Sequence, residues 1–165
     1  MMDKKHILFM ERALELAREG VGLTRPNPPV GAVLVQDDKI IAEGYHQKAG
    51  GPHAEVNCLW KAEGKLNKAV LYVTLEPCST QGQTPACTEL ILERGIRQVV
   101  IGCRDPNLVN SGKGIHALSQ AGVNVVVNIC RKEAEELIAP FTKRVTQNSV
   151  CHIENGHYAR WADCG

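Results

Sequence analysis

The sequence predicts an α/β fold in one domain: a mixed, partly parallel five-stranded sheet with helices on both faces. Three observations predict it. Short runs rich in Val, Ile and Leu recur at 30–35, 39–45, 70–75, 97–102 and 123–127. The first two lie close enough for a hairpin, while the last three are separated by stretches with helical spacing, giving the β-α-β-α-β alternation of a parallel arrangement. A chain of 165 residues, 44% of them hydrophobic, has room for one sizeable core.

Taken in order, Ile7, Met10, Leu14 and Ala17 recur at helical intervals, predicting an amphipathic helix over 4–19 that ends at Gly20. Val21 to Pro29 is a Gly/Pro-rich loop. The runs 30–35 and 39–45 flank Asp37-Asp38 and read as a β-hairpin. A helix over 53–63 follows the breakers Gly50, Gly51 and Pro52, with Val56, Leu59 and Trp60 on its packed face. Residues 70–75 read as a buried strand. Thr84-Pro85-Ala86-Cys87 has the form of a helix start, Thr84 capping and Pro85 in first position, with the helix stopping at Gly95. The run 97–102 is a further buried strand, Asp105-Pro106-Asn107 a loop, Gly112-Lys113-Gly114 the opening of a helix to Gln120, and 123–127 the fifth strand. Residues 131–139 read as a helix that Pro140 stops, and 148–165 as a tail behind a domain spanning 1–147.

One constellation carries chemistry. His53, Cys78 and Cys87 form a nitrogen-and-sulfur donor set suited to Zn2+, with the fourth tetrahedral position left to water. A helix after His53 carries the chain about 16 Å away, and the strand ending near Cys78 returns it by about 20 Å. The two lengths nearly cancel, so the ligands can meet. Amides at the helix start should favour the Cys87 thiolate. Glu55 lies one short step from His53 in the same first turn, placed to move a proton to or from water rather than to bind the metal. Read singly, each of these residues is more often an ordinary cap or a buried thiol; the joint pattern points to a metal site with an acid beside it.

The His53-Ala54-Glu55 and Pro77-Cys78 elements resemble the zinc-dependent cytidine deaminase superfamily. Eight residues separate the two cysteines, and this wide gap, with Pro26-Asn27-Pro28-Pro29-Val30-Gly31, Gly44-Tyr45-His46-Gln47-Lys48, Thr74-Leu75-Glu76-Pro77-Cys78 and Asp105-Pro106-Asn107, is similar to the deaminase domain of the bifunctional riboflavin biosynthesis protein. The likeness runs from about residue 8 to about residue 147. It implies a three-layer cytidine-deaminase-like fold and a pyrimidine nucleotide substrate. It also implies substrate contacts from Asn27 and His46, with Gln83 and Asn107 in the corresponding loops, and a homodimer or homotetramer. Lys113 between two glycines at a helix start offers amides and an ammonium to a phosphate, although such a run is more often a loop with a solvated lysine.

Two departures qualify the likeness. Gln83 stands where the resemblance implies a basic residue, and Leu108-Val109-Asn110-Ser111 replaces a different loop. Neither touches a zinc ligand or Glu55. The reductase domain that the resemblance places after the deaminase is not in this sequence, so a separate reductase is expected. A deaminase of another nucleobase, nucleoside or nucleotide, and a zinc-stabilised binding domain without activity, stand as alternatives. With 19 basic and 18 acidic residues and a formal charge of +1, composition gives no bulk argument for nucleic-acid or membrane partners and favours a small soluble one. Seven cysteines without a dense short-loop framework, and no signal peptide, predict a reducing, cytoplasmic setting. Cys58, Cys103 and Cys130 read as core residues. Cys151, His152, His157 and Cys164 in the tail match no metal-site spacing.

Overall fold

The computed structural model describes residues 4–80 and 85–150. Strands β1 (Gly31–Gln36), β2 (Lys39–Tyr45), β3 (Val70–Leu75), β4 (Gln98–Cys103) and β5 (Asn124–Val126) form one sheet in the order β2-β1-β3-β4-β5. β1 pairs antiparallel with both β2 and β3, whereas β3, β4 and β5 run parallel. The sheet is therefore mixed in the way the alternation predicts.

Side-chain alternation along the strands divides the interior into two cores. Ala32, Leu34, Leu71, Val73, Val99 and Ile101 point to one face, covered by α2 (Ala54–Leu59), α3 (Cys87–Glu93) and α4 (Lys113–Gln120). Val33, Val35, Tyr72 and Val100 point to the other, covered by α1 (Lys4–Glu19) and α5 (Arg131–Leu137). Helices on both faces of one sheet make three layers. Burying a Leu or Ile side chain in such a layer contributes about 1.5–3 kcal/mol, so the strands are held from both sides. Among the described residues no helix is long and apolar enough to cross a membrane.

Several boundaries differ from expectation, each for a physical reason. α2 is only six residues long, because Lys61 and Ala62 donate to Cys58 and Leu59 in a tightened last turn. Its packed face is Ala54, Glu55, Cys58 and Leu59, while Trp60 is 66% exposed beyond the helix end. α3 starts at Cys87 with Ala86 as N-cap, so Pro85 precedes the helix; Thr84 lies outside the described residues. Pro140 does not stop a helix. It occupies the first turn of α6 (Ala139–Val150), where the N–H that proline lacks has no intrahelical partner to lose, and α6 runs past residue 147. Cys58 and Cys103 are core residues, but Cys130 is half-buried at the cap of α5 in a left-handed conformation. The cysteines and histidines of the tail lie outside the described residues.

Gly44 sets how closely α2 approaches the sheet. A Cβ there would fall 2.4 Å from the Cys58 amide nitrogen, so only glycine lets α2 lie directly against β2.

Candidate active site

The loop before α2 presents His53. Its backbone is extended (φ −68°, ψ 164°), its carbonyl accepts the Asn57 N–H at 3.0 Å, and its ring makes no cap bond. The ring is thus free to face the sulfurs. Asn57 holds the loop in turn, its side-chain amide donating to the carbonyls of Tyr45 at 2.8 Å and Pro52 at 3.3 Å. Cys78 lies just beyond β3, at the carboxyl end of a parallel strand, and Cys87 is the first residue of α3.

His53 Nδ1 stands 3.3 Å from Cys87 Sγ and 3.6 Å from Cys78 Sγ, and all three donor atoms lie within 4.8 Å of one another. A tetrahedral zinc with ordinary Zn–S and Zn–N distances needs ligand atoms about 3.6 Å apart. Both His53 distances lie close to that spacing, and three protein ligands would leave one position open.

Electrostatics of the cluster differ from expectation in one respect. The first amide of α3, from Cys87, donates to Cys78 Sγ at 3.3 Å rather than serving its own thiol. Hydrogen bonding from the Cys87 thiol, opposed by burial and aided by His53, brings the Cys78 thiol down to about 4. Cys87, which shares its proton with Cys78, is buried and lies near the Glu55 charge, is pushed up. Within the pair Cys78, whose sulfur also accepts the Cys87 N–H, is the one shifted down. Hydrogen bonding with Cys78 raises His53 against the opposing effect of burial. Glu55 is buried, 4% exposed, and desolvation raises its carboxyl above the ordinary value while His53 pulls it down.

Above the cluster is a pocket of about 220 Å³ lined by Asn27, His46, Glu55, Asp105, Asn110 and Phe141 among others. His46 is buried, and desolvation lowers its pKa. Its Nδ1–H donates to the Pro52 carbonyl at 2.9 Å, leaving Nε2 as an acceptor 3.4 Å from the Asn27 side-chain nitrogen. Its ring meets that of His53 edge to face, with centroids 5.7 Å apart. Asn27 and His46 therefore stand together at the pocket.

Asn107 and Lys113 are placed differently. Asn107 shapes a turn: its N–H donates to Asp105 Oδ1 at 2.8 Å and its side-chain oxygen accepts the Val109 N–H at 3.1 Å. Lys113 is exposed at the start of α4, and neither residue lines the pocket. The amides around Lys113 already hold an anion. Glu76, 6% exposed, accepts N–H groups from Asp105 (3.2 Å) and Gly112 (3.0 Å) on Oε2, and from Gly114 (2.9 Å) and Ile115 (3.3 Å) on Oε1. A Cβ on Gly114 would come 2.0 Å from the Pro77 carbonyl oxygen, so the start of α4 rests directly on the segment leading to Cys78. Gln83 lies outside the described residues.

Sequence reasoning missed Glu76, Asn110 and Phe141 as pocket residues. A signal existed for Glu76, an acid between a buried strand and Pro-Cys, and none for Phe141 once Pro140 is read as a stop.

Similarity to known proteins agrees with this geometry. The family model of the cytidine and deoxycytidylate deaminase zinc-binding region matches residues 3–103. The riboflavin biosynthesis protein RibD of Aquifex aeolicus is 50% identical over 139 residues, which cover 84% of this chain and 39% of that protein. The diaminohydroxyphosphoribosylamino-pyrimidine deaminase of Buchnera aphidicola is 42% identical over 141 residues, 86% of this chain and 96% of that protein. Among solved structures, the diaminohydroxyphosphoribosylaminopyrimidine deaminase/5-amino-6-(5-phosphoribosylamino)uracil reductase of Thermotoga maritima superposes with a TM-score of 0.84 at 48% identity, over 87% of this chain and 42% of that one. The chain thus spans about two fifths of the length of the bifunctional relatives and nearly all of the Buchnera one. With three donors placed to hold a metal, its three-layer fold and these matches, the chain belongs to the cytidine and deoxycytidylate deaminase zinc-binding family.

Proposed function

We propose that this chain hydrolytically deaminates 2,5-diamino-6-ribosylamino-4(3H)-pyrimidinone 5′-phosphate, releasing ammonia and forming the 5-amino-6-ribosylamino uracil phosphate of riboflavin biosynthesis. The observation that carries the reaction class is Glu55, a buried carboxyl at the floor of a small pocket, beside three ligands that leave a metal position open. The choice of substrate is supported by the relative whose length this chain nearly covers and whose name is that deaminase.

His53, Cys78 and Cys87 would hold zinc, which would supply the Lewis acidity that makes water a nucleophile at neutral pH. Glu55 takes a proton from the attacking water and delivers it to a ring nitrogen, then takes the proton of the hydroxyl added to the ring and passes it to the departing amine as the carbon–nitrogen bond breaks. One water enters, one ammonia leaves, and the ring gains an oxo group. Burial raises the Glu55 carboxyl toward the pH at which it must both take and give a proton. His46 and Asn27 orient the ring: the Pro52 carbonyl holds His46 with Nε2 as an acceptor, and Asn27 supplies an amide beside it.

A homodimer or homotetramer, a cytoplasmic setting and a reductase acting on the product belong to the same reading. Cys58 and Cys103, buried as free thiols, support the reducing compartment. Ammonia release from the pyrimidine phosphate by zinc-loaded protein, with Glu55→Gln as control, tests the reaction. Release that falls by at least about a hundredfold in the variant, with one zinc retained per chain, is expected. No release by the zinc-loaded parent would refute the substrate.

A further inference from the structure

The small pocket above the metal cluster is closed from two sides. On one side Asn27 and His46, which flank the β1–β2 hairpin, stand beside His53 and Glu55. On the other, Phe141 reaches in from α6. α6 lies at the edge of the fold, packed against α5, and none of its described residues belongs to either core. A peripheral helix has few buried contacts to fix it, so the placement of Phe141 depends on what ties α6 to the rest of the domain.

Arg144 supplies such a tie. Its guanidinium lies over the Phe141 ring, 5.6 Å from the centroid, and donates through Nη2 to the Pro26 carbonyl. Pro26 belongs to a turn that holds itself. The Asn27 N–H donates to the Thr24 carbonyl at 2.8 Å, and the buried Thr24 hydroxyl donates back to the Asn27 carbonyl at 3.0 Å. The turn is thus the fixed partner and α6 the fastened one. Between them lies a cavity of about 290 Å³, lined by Arg25, Pro26 and Asn27 on one side and by Pro140, Phe141 and Arg144 on the other. A side chain spans this gap where the backbones do not meet.

Resting on the proposed reaction, we propose that Arg144 is a positioning residue for it, tying α6 to the Asn27 turn and so holding Phe141 as a wall of the ring pocket. Both contacts call for arginine. A flat guanidinium covers an aromatic face and still directs an N–H from its edge to a carbonyl, whereas the lysine ammonium is a point charge without that plane. Arg144 does not itself line the ring pocket, so it acts on substrate through Phe141. An apolar wall meets the ring alike in the ground state and the transition state, and its loss therefore falls on KM rather than kcat.

The test uses the full zinc-loaded chain in two arms. The first needs no substrate. In Arg144→Met, which keeps an apolar stem and removes the donor, exchange of the Thr142 amide, bonded to the Ile138 carbonyl at 2.9 Å, should quicken about tenfold while that of Asn27 stays as in the parent. Unchanged exchange at Thr142 would overturn the tether. The second arm measures kcat and KM on the pyrimidine phosphate and on its nucleoside. Arg144→Met should raise KM about tenfold for both, with kcat within about twofold of the parent and one zinc retained per chain. In a Phe141→Ala background the same replacement should add less than about twofold, because the wall it holds is gone. An equal rise in that background, a rise for the phosphorylated substrate only, or a loss confined to kcat would overturn the positioning role. No ammonia from the parent, with Thr142 exchange quickened in Arg144→Met, would refute the proposed reaction and uphold the tether.

Discussion

Replacing Glu76 with Gln tests whether one buried carboxylate holds the pocket's rear loop. Glu76 spends two oxygens on four backbone N–H groups, those of Asp105, Gly112, Gly114 and Ile115. Glutamine keeps one oxygen and presents an NH2 group where the other stood, so two of the four donors lose their acceptor. Each buried donor left unsatisfied costs about 1–3 kcal/mol, and removing a negative charge from the start of α4 costs about 0.3–1 kcal/mol more. The total is about 4 kcal/mol. At about 2–4 °C per kcal/mol for a chain of this size, Tm should fall by about 10 °C in calorimetry of the zinc-loaded protein. Amide exchange should locate the loss, with faster exchange at Gly112 and Gly114 and little change at Val73 in β3. Glu76→Asp, which keeps the charge but is one methylene shorter, should lie between the two. A fall in Tm below about 2 °C for the Gln variant, with Gly112 and Gly114 still protected, would refute the reasoning. The consequence extends to the candidate site, because Asp105 and Asn110 line its pocket on the loop that Glu76 fastens.

Two other outcomes follow from the geometry. Cys87→Ser should lose the stoichiometric zinc in metal analysis, and with it the stabilisation that a ligand specific for the folded state provides; a variant that retained one zinc per chain would rule out Cys87 as a ligand. Arg12 grips Glu43 through Nε at 2.7 Å and Nη2 at 3.1 Å, which holds the Glu43 carboxyl below its ordinary value of 4.5. A carboxyl whose pKa is lower when folded stabilises the fold above its unfolded value, and that contribution is lost as pH falls through the folded one. The Tm difference between parent and Glu43→Gln should therefore be full at neutral pH and close below about pH 4.5; a difference independent of pH would refute the pairing.

Periodicity made the layers legible, because each strand of the sheet is wanted by two cores at once. Val33 and Leu34 differ by one position and serve opposite faces, and no other register keeps both buried. Ligand chemistry made His53, Cys78, Cys87 and Glu55 legible for a similar reason, since nitrogen, two sulfurs and an acid in that order have few other joint uses. What stayed hidden depends on direction rather than type. Trp60 is apolar and helically spaced, yet it falls one residue past the end of α2 and faces solvent. Pro140 has the same φ whether it ends one helix or begins the next, and choosing the first reading hid Phe141 from the pocket. Glu76 is the more instructive case. Its partners lie 29 to 39 residues away, beyond the reach of any local pattern. A buried acid at the carboxyl end of a parallel strand must nevertheless find donors, and the richest supply nearby is the start of the helix that follows the neighbouring strand. The Gly112-Lys113-Gly114 run carries the mark of such an anion seat, and the anion that fills it is supplied by the chain itself. A free helix start beside a sheet of this kind is thus a question about the acid at the next strand's end before it is a question about ligand.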